Sequence, residues 1–200
     1  MKIKRFTVGK LLTNCYLAIC SKKAEAIIID PGFETALEAE QVISYVNQNS
    51  LKVRFIVDTH GHMDHISGNK ILKLNFVVPV CIHNYDAHYL TNLDGVLPPN
   101  VLLEDGSLLK FGQVTLRVVY TPGHTFGSIS VVGNGFVFTG DTLFAGGIGR
   151  TDFPGGSSKD MRASLRRLSC LPSDYVIYPG HGSMSTIGKE KQFNPFLSWL

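Results

Sequence analysis

The sequence predicts a mixed α/β fold in which layers of strands and helices pack on each other. Three observations predict it: short apolar runs typical of strands recur along the chain, stretches with helical spacing separate several of them, and turn sequences join others as hairpins. Because hairpins make antiparallel neighbours, a mixed arrangement fits better than a purely parallel sheet. A chain of 200 residues, 44% of them apolar, can bury a sizeable core, and we expect a single domain over residues 1–200.

In the first half of the chain, five apolar runs are predicted to be strands: residues 3–8, 14–20, 26–29, 53–57 and 77–82. Two helices are predicted among them. Residues 35–49 carry apolar side chains at near-helical spacing, and residues 65–74 form the second predicted helix. The triplet Asp30-Pro31-Gly32 is typical of a turn and ends the third strand.

In the second half, two hairpins are predicted, over residues 108–111 with 114–120 and over residues 128–132 with 136–139. A glycine-rich turn over residues 133–135 joins the strands of the second hairpin. The predicted elements that follow are a helix over residues 159–168, a strand over residues 175–178 and a terminal helix over residues 189–200, interrupted at Pro195.

Charge and cysteine content argue against several classes of partner. The net charge of +3 comes from scattered basic residues and does not indicate a nucleic-acid partner. No apolar run approaches the roughly 18 residues that span a bilayer, so we expect no membrane partner. The cysteines form no Cys-x-x-Cys pair, which favours free thiols in a reducing compartment and hence a cytoplasmic location.

A dense group of metal-binding residue types lies in the loop after the fourth predicted strand. Neutral imidazole and carboxylate are the usual ligands of zinc and of other divalent first-row metals. Four such groups in one short loop are too many for a single tetrahedral ion with an open position, and they suit two neighbouring ions better. The members of this group are His60, His62, Asp64 and His65.

Three further candidate ligands lie in distant loops that also follow predicted strands, namely His124, Asp141 and His181. A loop at a strand end can present its side chain towards a point shared with other loops. Taken singly, each residue has an ordinary structural explanation, such as a histidine bonded to backbone in a turn or an aspartate at a helix N-cap. Together with the dense group, they would complete the ligands of two ions.

Residues 59–65 resemble the His-x-His-x-Asp-His signature of the metallo-β-lactamase superfamily. Residues 121–128, 138–144 and 178–182 look like the loops that carry the later ligands of that family, and the triplet at residues 30–32 also matches. The resemblance extends from about residue 3 to about residue 198. It implies a four-layer αββα sandwich, in which two β-sheets pack between outer helices.

The resemblance also implies a division of the ligands between two divalent ions. Zinc is the first expectation for both ions, with iron or manganese as alternatives. The first metal would be held by His60, His62 and His124, the second by Asp64, His65 and His181, and Asp141 would bridge both.

Within that superfamily, residues 146–156 resemble the glyoxalase II-like branch, whose type member is hydroxyacylglutathione hydrolase. Two departures concern the glutathione site. The chain ends shortly after His181, so we expect the C-terminal helical domain of glyoxalase II to be lacking. Where that enzyme uses a lysine and a tyrosine to contact glutathione, this sequence has Arg150 and Asp152. Arg150 is a candidate for binding a substrate carboxylate, and Asp152 a candidate for an ion pair with Arg150.

The resemblance implies a binuclear metallohydrolase that cleaves a small-molecule thioester. Zinc can lower the pKa of bound water to about 7, which supplies a hydroxide at neutral pH. Asp64 and Asp141 would orient the hydroxide held between the ions for attack on the thioester carbonyl, as well as binding metal. Since a thiolate is a good leaving group, the reaction needs no strong general acid.

Three alternatives stay open. Persulfide dioxygenases of the same branch carry a similar Gly-Arg-Thr-Asp-Phe segment but use one iron with two histidines and one aspartate. Hydrolysis of a lactone or another ester would keep the fold and the metals. A non-catalytic metal-binding protein would require a missing or blocked ligand, and the sequence lacks none.

Overall fold

Two six-stranded β-sheets form the middle of the protein. The structure is a computed structural model and describes residues 1–91 and 101–197. The first sheet runs in chain order from one edge to the other. Its strands are Lys2–Val8 (β1), Thr13–Cys20 (β2), Glu25–Ile29 (β3), Lys52–Val57 (β4), Val80–His83 (β5) and Val101–Leu103 (β6). The first three strands pair antiparallel, and the pairs from β3 to β6 are parallel.

The second sheet is built from the second half of the chain. Its strands are Leu108–Phe111 (β7), Val114–Tyr120 (β8), Ile129–Gly133 (β9), Phe136–Gly140 (β10), Val176–Pro179 (β13) and Ser185–Thr186 (β14). The order across the sheet is β14-β13-β10-β9-β8-β7, and only the β10–β13 pair among these is parallel. The short strands Leu143–Phe144 (β11) and Gly147–Ile148 (β12) pair separately between β10 and β13 in the chain.

Helices cover the outer faces of both sheets. They are Ala36–Gln48 (α1), Met63–Ile66 (α2), Asn69–Phe76 (α3), Ala87–Thr91 (α4), Ser158–Ser169 (α5) and Ile187–Phe193 (α6). A single 3-10 turn over Asn84–Asp86 precedes α4. Within residues 1–91 and 101–197, none of the helices has the length and apolar character needed to cross a bilayer.

Three apolar layers hold these elements together and define a four-layer αββα sandwich. The first layer joins α1 and α3 to the first sheet, as with Val42, Leu72 and Ile28. The second lies between the two sheets and includes Tyr16, Ile27 and Phe138, and the third packs α5 and α6 on the second sheet. The sequence-based expectation of an αββα fold is therefore confirmed.

Strand β2, next to the edge strand β1, shows why a continuous apolar run predicts a strand in this fold. Every residue of β2 is buried, because one face of the sheet contacts helices and the other contacts the second sheet. Consecutive side chains alternate between these two layers: Leu17 lies in the first and Ala18 in the second. Cys15 and Cys20 likewise lie in different layers, and both are free thiols.

The helix predicted over residues 65–74 is wrong in its bounds, because two helices occupy this region. Helix α2 begins earlier, at Met63, and ends at Ile66, before α3 begins at Asn69. Gly68 lies at the break, where its N–H donates to the Pro31 carbonyl at 2.7 Å. A Cβ at position 68 would lie 2.2 Å from that oxygen, so the close contact requires glycine.

Two other predicted elements differ in extent. The strand predicted over residues 77–82 starts only at Val80, because Val77 ends α3 in a left-handed conformation with φ of 53°. The terminal helix predicted from residue 189 begins at Ile187 and ends at Phe193, since Asn194 precedes a proline and is extended. Residues 198–200 of that prediction lie outside the described residues.

Candidate metal centre

Strand ends bring the distant candidate ligands together. His60 follows β4 and His124 follows β8. Asp141 directly follows β10, and His181 follows the neighbouring parallel strand β13 after one residue. A hydrogen bond from Ile129 N to the Thr59 carbonyl, at 2.9 Å, ties the loop after β4 to the second sheet. The sandwich thus places loops from both sheets at one edge, where their side chains meet.

All seven candidate ligands lie in three overlapping groups in which the ligand atoms are within 4.8 Å of one another. Asp141 shares a group with His60 and His65, between the other two groups. One carboxylate oxygen of Asp141 lies 3.5 Å from Nε2 of His124 and 3.5 Å from Nε2 of His181. Its other oxygen lies 3.4 Å from Nε2 of His65. The groups are His60, His62 and His124; His60, His65 and Asp141; and Asp64, His65 and His181.

The polar atoms of these groups fit metal cations. Nε2 of His124 lies 2.9 Å from Nδ1 of His62, and the Nε2 atoms of His65 and His181 are 3.3 Å apart. Ring nitrogens that face each other need a proton or a cation between them, because two lone pairs cannot satisfy one another. Nε2 of His60 is buried without a hydrogen-bond partner among the described residues, so a bound cation would satisfy it. The cluster can therefore bind metal ions.

Carboxylates control the protonation of two of the histidines. Burial alone would lower the pKa of His65, but the charges of Asp141 and Asp30 outweigh burial and raise it to about 9. Burial also opposes protonation of His181, while Asp141 and Asp64 raise its pKa to about 10. By contrast, burial and the neighbouring histidines lower the pKa of His60. A metal cation would take over the role of the protons on His65 and His181.

Polar contacts at the far ring nitrogens orient two of the histidines. Nδ1 of His65 lies 2.9 Å from Oδ2 of Asp30, and Thr59 donates to both carboxylate oxygens of Asp30. Nδ1 of His181 lies 3.0 Å from the Leu11 carbonyl, which turns Nε2 towards the cluster. Such contacts fix the tautomer and the direction of a metal-binding imidazole.

Residues that the sequence interpretation did not assign also shape the site. Thr13 donates to Asp64 at 3.1 Å, and the side-chain amide of Asn14 donates to the carbonyls of Pro179 and Gly182, on either side of His181. Asp30 had a signal in the sequence, since its triplet matched the family pattern. Thr13 and Asn14 had none, because they lie within an ordinary apolar strand.

Arg150 and Asp152 form the expected ion pair at the surface beside the cluster. Nε and Nη2 of Arg150 donate to the two oxygens of Asp152 at 2.7 and 2.8 Å. The hydrogen bond from Arg150 lowers the pKa of Asp152 to about 2. The guanidinium carbon lies 3.7 Å from the ring centre of Phe153, and that ring is 5.9 Å from the ring of His62. The pair is therefore at the rim of the candidate metal centre.

Known proteins share both the sequence and the fold. Hydroxyacylglutathione hydrolase GloC of Haemophilus influenzae is 36% identical over 99% of this chain and 99% of its own. The human mitochondrial persulfide dioxygenase ETHE1 is 35% identical over 93% of this chain and 72% of its own length. The crystal structure of the BLEG-1 B3 metallo-beta-lactamase matches with a TM-score of 0.90 at 34% identity, covering 98% of this chain and all of that one.

The family assignment covers most of the chain. The sequence model of the Metallo-beta-lactamase superfamily matches residues 8–181, from the end of β1 to the last candidate ligand. The cluster of histidines and aspartates lies within that match, and so do strands β2 to β13 and helices α1 to α5 of the αββα sandwich. The chain belongs to the metallo-beta-lactamase superfamily.

Proposed function

We propose that this protein is a two-metal hydrolase of the glyoxalase II-like branch that cleaves a small-molecule thioester. The observation that carries the proposal is the position of Asp141, whose two oxygens face histidines of both outer groups. A carboxylate in that position can bridge two cations, as two-metal hydrolytic sites require. The similarity to hydroxyacylglutathione hydrolase GloC supports the thioester as the substrate class.

The proposed ligands divide as the family pattern implies. His60, His62 and His124 would hold the first ion, Asp64, His65 and His181 the second, and Asp141 both. Two divalent ions, with zinc as our first choice, would supply an ionised water nucleophile at neutral pH and polarise the substrate carbonyl.

The chain's own residues would orient the reactants. The ionised carboxylates of Asp64 and Asp141 accept hydrogen bonds, so they can hold a water molecule at a fixed angle to the substrate. The hydrogen bond from Thr13 fixes one oxygen of Asp64. The pKa of Asp64 is low, because His181 and His65 outweigh the effect of burial, and this carboxylate stays ionised at neutral pH.

We propose Arg150 as a contact for an acidic group of the substrate. Its ion pair with Asp152 uses Nε and Nη2, and Nη1 lies outside that pair. The guanidinium stacks on Phe153, which keeps it beside His62 at the rim of the site. A carboxylate on the acyl or thiol part of a substrate could pair with it there.

Persulfide oxidation is the second candidate function, because the human persulfide dioxygenase ETHE1 is 35% identical over 93% of this chain. A mononuclear iron enzyme needs two histidines and one carboxylate as protein ligands. The additional donors at this site favour two ions. The two candidates therefore differ in metal content as well as in reaction.

The deciding experiment is metal analysis of the purified protein followed by activity assays. Two ions per chain and hydrolysis of thioesters would support the proposal, whereas one iron per chain and oxygen uptake with a persulfide would support the second candidate. The thioester panel should compare glutathione with other thiol leaving groups and include a lactone and a β-lactam. Hydrolysis of only the lactone or the β-lactam would overturn the thioester proposal.

The cysteines bear on where the protein works. Cys15, Cys20 and Cys81 are buried free thiols, and Cys170 is an exposed one. Thiols persist in reducing compartments, so we propose a cytoplasmic location.

A further inference from the structure

We propose that Asp86 is a positioning residue for the first metal group, although it is not a ligand. This inference rests on the proposed two-metal function. Asp86 ends the 3-10 turn after β5 and is only 1% exposed. A buried carboxylate is costly unless its oxygens are hydrogen-bonded, so its partners indicate what it does.

The partners of Asp86 come from the two loops that carry the first group. Its Oδ2 accepts from the N–H of Gly61 at 2.9 Å and from the hydroxyl of Thr125 at 2.6 Å. Its Oδ1 accepts from the N–H of Gly127 at 2.7 Å. One carboxylate thus binds both loops at once.

These partners are chain neighbours of the proposed ligands. Gly61 lies between His60 and His62, and Thr125 directly follows His124. The distance of 2.9 Å between the ring nitrogens of His62 and His124 depends on how closely the two loops approach. Asp86 therefore sets the spacing of the first group through the backbone, without touching an imidazole.

Two glycines in these loops pack closely against their surroundings. A Cβ at Gly127 would lie 2.5 Å from Cγ of Asp86, and a Cβ at Gly61 would lie 2.2 Å from the ring of Tyr89. Gly127 therefore lets the backbone approach the carboxylate, and Gly61 lets the backbone between His60 and His62 lie against Tyr89. We call Asp86, with Gly61 and Gly127, the clamp.

The second group is held by other contacts. Thr13 binds Asp64, Asp30 lies beside His65, and the Leu11 carbonyl accepts from His181. None of these contacts involves Asp86. Loss of the Asp86 carboxylate should therefore weaken the first group and spare the second.

The test compares Asp86→Asn with the wild-type protein and with Glu190→Gln. Asparagine keeps the size of Asp86 but puts an amide donor where an N–H or hydroxyl needs an acceptor. Glu190 is a matched control, because it is a buried carboxylate that accepts from Gly146 at 2.7 Å and from Asn194 at 2.9 Å, and also from Ser185, and none of these partners lies in the two loops of the first group.

The experiment adds Co²⁺ to the metal-free proteins. Absorption spectroscopy would then show the environment of each bound ion, and chelator competition would measure how tightly each ion binds. For Asp86→Asn we expect one ion to bind at least about 10-fold more weakly, with its absorption band changed, and the other ion to bind as in the wild type. Glu190→Gln should bind both ions normally. Equal weakening of both ions, or unchanged binding of both, would overturn the role of Asp86.

A second pair of variants keeps the test decisive if Asp86→Asn does not fold. Thr125→Val removes the hydroxyl that donates to Asp86, while Thr125→Ser keeps it. We expect the valine variant to weaken the same ion and the serine variant to restore its binding. Wild-type protein that binds a single ion would contradict the proposed function itself, whereas two ions bound as tightly by the valine variant as by the wild type would contradict only the clamp.

Discussion

The main-chain carbonyl oxygen of Arg150 lies 2.8 Å from Nδ1 of His124. An N–H at Nδ1 donates to this carbonyl, which leaves the Nε2 lone pair of His124 facing His62 and Asp141. The preceding residue, Gly149, allows the approach. A Cβ at position 149 would lie 1.8 Å from the carbonyl oxygen of Asp141 and 3.1 Å from Nδ1 of His124. The backbone of this segment therefore contacts two proposed ligands at once.

Gly149→Ala should lower metal affinity and thioesterase activity by about 10-fold or more, because the methyl group must displace the Asp141 loop or the Arg150 carbonyl. Gly147→Ala is the matched control, since a Cβ there would meet nothing within 4 Å. Chelator competition and kcat/KM would measure both effects. Equal behaviour of the two variants would show that the close approach at Gly149 does not matter to the metal centre.

Asp141→Ala should lose bound metal and nearly all activity, because no other carboxylate faces histidines of both outer groups among the proposed ligands. Metal analysis after dialysis and the thioester assay would test this. Asp174→Ala, at an exposed aspartate, serves as the control and should keep both properties. Full metal content and activity in Asp141→Ala would rule out the bridging role.

Arg150→Ala should raise KM for an acidic thioester and leave KM for a neutral thioester unchanged, because only the acidic substrate can pair with the guanidinium. Asp152→Asn should act in the opposite direction, since it removes the carboxylate that now pairs with Arg150. Steady-state kinetics with both substrates would separate these effects. If neither variant changes KM, the Arg150–Asp152 pair is only structural.

The apolar pattern of the sequence was enough to predict most of the sheets. Strands such as β2 and β3 are buried on both faces, so their sequences are continuous apolar runs that also alternate between two layers. The break between α2 and α3 was not predictable from periodicity. It depends on the contact of Gly68 with the Pro31 carbonyl, which is distant in the chain.

The candidate site was predictable for a different reason. The dense group after β4 has a local pattern, but nothing in the spacing of His124, Asp141 and His181 requires them to meet it. Their convergence follows from the parallel β10–β13 pair and from the packing of the two sheets. Only the family resemblance predicted from the sequence that these three residues would join the dense group. No sequence pattern marks Asp86, because its role depends on which loops donate hydrogen bonds to it in the folded chain.

One further carboxylate, Glu38, links α1 to the turn between β1 and β2. Its Oε1 accepts from the N–H of Gly9 at 2.7 Å, and its Oε2 accepts from the N–H groups of Glu34 and Thr35 at 2.9 and 3.0 Å. Thr35 and Glu38 form a capping box at the start of the helix. Burial opposes ionisation of Glu38, but these hydrogen bonds outweigh it and lower its pKa.

Because its pKa is lower in the folded protein than the value of about 4.3 in an unfolded chain, ionised Glu38 stabilises the fold above pH of about 4.3. This contribution is lost as the pH falls through the folded pKa. Glu38→Gln should therefore lower the free energy of unfolding by about 1 kcal/mol at pH 7, a typical value for a helix cap. The difference from the wild type should shrink as the pH falls towards the folded pKa.

Urea unfolding of the metal-free proteins across that pH range would measure the effect of Glu38. Glu40→Gln is the control, because Glu40 is an exposed carboxylate on the same helix whose hydrogen-bond partner is the neighbouring Ser44. The unfolding free energy of Glu40→Gln should differ little from that of the wild type anywhere in this pH range. A loss in Glu38→Gln that stays constant with pH would mean that shape, and not the charge of the carboxylate, joins the helix to the turn.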